Sequence, residues 1–171
     1  MGWKPSNRLL AMLSSLPLLS ASLFAWISGN PFNGGLLLMA GGLLLFWGSR
    51  LDTMPAAPAK GWLRPVGAAV VVFGLVYPHF LEAPSYFSYL YAAPVGLIPC
   101  PSLSAVIGLA LLFNGYHAVK WPSTLAGVGL FYGVVGVFRL GVQLDWVLLA
   151  GALSLLLSCR VWQKQQAPVH I

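Results

Sequence analysis

Six apolar stretches follow one another along this chain, at residues 9–29, 32–48, 62–80, 102–119, 122–140 and 143–162, and several of the connections are only a few residues long. A helix that crosses a bilayer needs about 20 mostly apolar residues. Backbone polar groups in hydrocarbon must be satisfied within the segment, which makes helices the natural form for such stretches. The pattern predicts an all-α fold: a polytopic integral membrane bundle of six transmembrane helices, in a single membrane domain over 1–171. Composition closes the main alternatives. Hydrophobic residues make up 58% of the chain and Asp, Glu, Lys and Arg only 7%, against about 25% charged residues in an ordinary soluble domain. Nine basic and three acidic side chains are too few to clothe a water-facing surface. An ordinary cytosolic enzyme, a disordered chain and a secreted disulfide scaffold are all excluded.

Charge placement orients the bundle. With six spans the two termini share one side. Lys4, Arg8, Arg50, Lys60, Arg64, Lys120, Arg160 and Lys164 then fall on that side, and Arg139 falls opposite. This asymmetry predicts cytoplasmic N- and C-termini. The seven tryptophans sit near predicted helix ends, as an aromatic belt requires. The basic residues are scattered singly, which argues against a nucleic-acid partner, and no run of four or more Lys or Arg is present to support a dedicated anionic-lipid patch. The first stretch, after Lys4 and Arg8, can be read as a signal peptide. Its apolar run is longer than a usual signal core, so a retained helix kinked at Pro17 is expected.

Several residues stand out against this background. Gly34 and Gly35 recur seven residues later as Gly41 and Gly42, two turns along one helix face; Gly129 and Gly133 form a GxxxG pair. Both patterns suit close helix packing. The segment 82–101 holds four prolines and three tyrosines but no Lys or Arg, and is expected to lie in the interface or fold back as a re-entrant loop. At the outer face His79, Glu82, Cys100 and Arg139 form a candidate site. His, Glu and Cys are ligand types for zinc or copper, although the usual metal spacings are absent. The same residues read structurally as an interfacial histidine, a loop acid, a cysteine held before Pro101, and a rim arginine that can pair with Asp145 or Glu82. Asn114 and His117, three apart on the fourth span, are candidate polar residues of the bundle interior. Cys100 and Cys159 are placed at opposite faces, so no disulfide between them is expected.

The run Tyr77-Pro78, followed by a Pro- and aromatic-rich loop and then Pro99-Cys100-Pro101 entering an apolar helix, resembles a family of small uncharacterised bacterial polytopic membrane proteins. Their pattern reads Tyr-Pro, then Pro-Cys-Pro-Thr-Thr; Ser102 and Leu103 stand here where threonines occur there. The resemblance covers residues 72 to 113. It implies a multi-pass protein of the bacterial cytoplasmic membrane and brings no known activity.

No predicted span carries a charged residue at its centre, and no common catalytic or nucleotide-binding motif is present. Three functions remain open. The first is a non-catalytic integral membrane subunit or assembly partner of a larger complex, in contact with the lipid bilayer and with other membrane subunits or its own copies. The second is a transporter or channel for a small neutral or hydrophobic solute. The third is an outer-face metal- or thiol-dependent protein using Cys100, His79 and Glu82. The sequence names no cofactor: lipid contacts are expected, and heme or metal stays open.

Overall fold

Helix starts are set by local chemistry. Ser6 opens α1 (Asn7–Ile27), its hydroxyl accepting the Leu9 N–H at 3.2 Å. Asn30 does the same for α2 (Pro31–Gly48), accepting the Asn33 N–H at 3.1 Å, with Pro31 at the first helical position. The computed structural model describes residues 4–77 and 94–166, with side chains as far as Cys159. Its other helices are α3 (Leu63–Leu75), α4 (Pro99–Leu112), α5 (Lys120–Val134, continued by a π turn over Val135–Arg139) and α6 (Asp145–Gln166). Among the described residues there is no β-sheet, only an isolated bridge between Ser6 and Pro55. Among the described residues the fold is therefore an all-α bundle of six helices.

Three of them, Asn7–Ile27, Pro31–Gly48 and Lys120–Arg139, are long and apolar enough to cross a membrane. The apolar helices Leu63–Leu75, Pro99–Leu112 and Asp145–Cys159 are shorter than the sequence pattern predicted for spans three, four and six. The helices pair as neighbours in sequence: α1 with α2, α3 with α4, α5 with α6. The centre is α4, which also touches α1, α5 and α6. Residues 101–108, Ala110 and Leu111 are all buried. A helix surrounded by protein needs apolar residues on every face, and its sequence, PCPSLSAVIGLALL, supplies them.

Glycine lets α3 and α4 meet backbone to backbone. A Cβ on Gly67 would lie 2.8 Å from the Gly108 carbonyl oxygen, and one on Gly74 would lie 2.6 Å from the Ala105 nitrogen. Sequence reading had singled out other glycines. Of those, Gly34 packs on Trp26 and Gly41 on Leu19, while Gly35 and Gly42 have nothing within 4 Å. One member of each pair thus faces the bundle interior and the other faces outward. Gly129 packs against Ile107 and Ala152, and Gly133 against Leu149.

The fourth span does not run to Val119 as the hydropathy suggested. It stops at Leu112, and Asn114, Gly115, Tyr116 and His117 all take left-handed φ values of 52–56°. Such backbone costs roughly 1–2 kcal/mol per non-glycine residue. What holds it is Tyr116, fully buried, with its hydroxyl 3.0 Å from Ser14 Oγ and its ring edge-on to Trp121 at 4.8 Å. Asn114 and His117 therefore do not share a helix face; His117 is exposed and Asn114 partly so. Trp121 also departs from the expected belt, being fully buried in the core.

The connection between α2 and α3 is strapped to the same end. Asn7 Nδ2 donates to Asp52 Oδ1 at 2.8 Å, the backbone N–H groups of Asn7 and Arg8 donate to Met54 and Asp52, and Ala59 donates to the Leu112 carbonyl at 2.6 Å. At the opposite end the turn at 94–98 lies against the middle of α1. Gly96 touches Ser20 and Pro17, and its N–H donates to Ser102 Oγ at 2.8 Å. Ser20 is seven residues from Ile27, about 10 Å along the helix axis. Pro94 and Gly96 of this turn are buried, while Leu97 and Ile98 are exposed.

Candidate functional site

Five helix ends converge at the end of the bundle that holds the α1–α2 and α5–α6 turns. The start of α2 brings Asn33, the end of α3 brings Tyr77, and the start of α4 brings Cys100. Late α5 contributes Tyr132 and Gly136, and α6 opens with Asp145. The π turn matters here. Its wide i to i+5 bond, from the Leu140 N–H to the Val135 carbonyl, is followed by a bond from the Val142 N–H to the Gly136 carbonyl at 2.8 Å. This tight return tucks Asp145 beneath Gly136. The fit leaves no room for a side chain, because a Cβ on Gly136 would collide with the carboxylate of Asp145.

Asp145 is 1% exposed. Tyr77 donates its hydroxyl to Asp145 Oδ1 at 2.8 Å, and the Cys100 thiol donates to Oδ2 at 3.2 Å. A buried carboxyl group needs such partners. Its place at a helix N-terminus adds the favourable end of the helix dipole. Beside it Tyr132 donates to Asn33 Oδ1 at 3.1 Å. These groups border a cavity of about 240 Å³ whose remaining walls include Phe32, Ile98, Phe131, Val135 and Leu140. The result is an apolar chamber with a small polar floor, the usual composition of a ligand site.

The sequence-derived residues distribute as follows. Cys100 is in this site. His79 and Glu82, with most of the 82–101 loop, lie outside the described residues. Arg139 is exposed, and the contacts to Asp145 come from Tyr77 and Cys100 rather than from the arginine. Asn114 and His117 belong to the other end of the bundle, and Gly129 and Gly133 sit in helix contacts. Among the described residues no cluster of His, Cys, Asp and Glu is arranged to hold a metal ion, and both cysteines are free thiols. Sequence reasoning missed Asp145, Tyr77, Tyr132 and Asn33. One signal was available: Asp145 is one of only three acids and opens an apolar helix, a position where an acid can turn inward.

Comparison with protein-family models, with curated proteins and with solved structures finds no match.

Proposed function

We propose that this chain is a non-catalytic integral membrane protein of six spans with cytoplasmic termini, and that its outer cavity holds a small molecule with an apolar body and one hydrogen-bond-donating head. The observation that carries the reading is the buried Asp145 carboxylate on the floor of the apolar chamber. Two of its roughly four acceptor positions are taken by Tyr77 and Cys100, which leaves capacity for a hydroxyl or amine. Binding suits these groups better than chemistry, since the thiol is engaged with a carboxylate and no described histidine stands near it. The chamber lies at the end opposite Lys4, Arg8, Arg50, Lys60, Arg64 and Lys120, which the positive-inside rule assigns to the outside. The paired packing of α3 and α4 supports spanning by these shorter helices as a unit.

Purification in mild detergent, organic extraction and mass spectrometry test the binding. A stoichiometric molecule is expected, lost in Asp145→Asn and in the cavity-filling Val135→Trp. Folded protein that yields no molecule and takes up no added long-chain alcohol would sink the proposal. Orientation is tested with single cysteines at Ser28 and Thr53 in a Cys100→Ala, Cys159→Ala background. A membrane-impermeant thiol reagent applied from outside should label the first and spare the second; the reverse pattern means an inverted topology.

A second reading, a subunit of a larger membrane complex, is favoured by Gly35 and Gly42. They lie two turns apart, with open space above both and exposed Leu38 and Met39 between them. Such a face lets another helix approach closely. Gly35→Cys should form a disulfide-linked or cross-linked species in native membranes if this face is covered.

A further inference from the structure

The strapped end of the bundle carries a second cavity, of about 410 Å³, lined by Trp47, Arg50, Leu51, Ala118, Val119, Lys120 and Trp121. Its charge is entirely positive. Arg50 stacks over Phe46 with its guanidinium carbon 3.7 Å from the ring centre, and lies 5.8 Å from the Trp47 ring. Lys120 Nζ stands 4.8 Å from the Trp47 ring. Aromatic faces thus hold both cations in place. No carboxylate among the described residues joins either one. Asp52 is engaged by Asn7 and by the Met54 N–H, Asp145 is at the far end of the bundle, and Glu82 lies outside the described residues.

One further feature of the same wall calls for an acceptor. Helix α5 begins here, with no side-chain cap and no acid in its first turn, so its free N–H groups present the positive end of the helix. Beneath it the Trp121 side chain is 0% exposed and packs on Tyr116, which fixes the helix start in place. Two fixed cations and an uncapped helix start around one open cavity define a place for an anion with several acceptor oxygens.

We propose that this cavity binds the phosphate of an anionic phospholipid. Arg50 and Lys120 supply charge, the start of α5 supplies backbone donors, and Trp47 marks the headgroup level of the membrane. Lipid rather than free phosphate is favoured because the flanking surface is apolar: Phe46 and Leu43, on the same helix as Trp47, are exposed large hydrophobics suited to acyl chains. The proposal does not rest on the outer-cavity reading, and in detergent it does not depend on orientation.

The test is native mass spectrometry of the purified full chain with added phosphatidylglycerol, phosphatidylcholine or inorganic phosphate. Phosphatidylglycerol should bind preferentially. Arg50→Gln and Lys120→Gln should each weaken it about fivefold. Lys60→Gln and Arg64→Gln, exposed cations outside the cavity, should leave it unchanged. Equal losses in those controls, or none in Arg50→Gln with Lys120→Gln, would overturn the site. Inorganic phosphate binding with no preference between the two lipids would overturn the lipid assignment. Arg50 and Lys120 are at the exposed rim, so both variants are expected to fold.

Discussion

The two ends of the bundle solve opposite electrostatic problems. One end buries an acid and surrounds it with neutral donors, in a chamber so tightly built that Gly136 tolerates no side chain over Asp145. The other end leaves two cations at an open rim, steadied by aromatic rings and joined by no carboxylate among the described residues. The difference teaches where function and folding are coupled. At the first end the polar groups are part of the core, so altering them alters packing. At the second the charges sit outside the core, while the aromatic pair Tyr116 and Trp121 beneath them belongs to it.

The strongest way to break this contrast is to remove the aromatic support. Tyr116→Ala should destabilise the bundle by about 3–5 kcal/mol, the usual loss for a buried large aromatic. Thermal unfolding in detergent would show it, and labelling of Cys100 in the folded fraction should stay as in the wild type if the ends are independent. Next, Gly136→Val should cost about 1–3 kcal/mol through overpacking on Asp145. Gly127→Val on the same helix, where nothing lies within 4 Å, should stay within about 0.5 kcal/mol. A similar loss in both would mean that the Asp145 chamber is not tight. Tyr77→Phe should cost about 1 kcal/mol, the net value of one hydrogen bond with some penalty for the carboxylate left behind. It should also raise thiol labelling at Cys100 by loosening the shared carboxylate. The smallest effect has the opposite sign. His117→Gly, at an exposed residue with φ of 55°, should raise stability by about 1 kcal/mol by relieving left-handed strain.

Much of the fold was legible in the apolar periodicity because long hydrophobic runs leave few alternatives. The stretches at 9–29 and 32–48 open within two residues of α1 and α2, whose starts Ser6 and Asn30 cap. The early end of α4 had a local mark that the hydropathy of the span masks: Asn114-Gly115 is a turn-forming pair. What fixes the break is tertiary, a strained turn held by the anchoring of Tyr116 on Ser14 and Trp121. The site was half legible. Cys100 drew notice from its prolines. Proximity in sequence makes Asp145 one of two expected partners for Arg139, beside Glu82. The π turn sends the two apart instead, one to the surface and one inward. Tyr77, Tyr132 and Asn33 come from three different helices, and only their packing brings them to one chamber.

The all-round burial of α4 bears on how the chain is made. A helix of 14 residues spans only about 21 Å, short of a hydrocarbon core of about 30 Å. Emerging from a ribosome, α4 would be a weak insertion signal by itself. Its glycine contacts with α3 offer a partner already synthesised. Much of the rest of its surface belongs to α5 and α6, which arrive later. Assembly is then two-stage: the earlier helices can meet first, but their centre stays unfinished until the last pair closes around it.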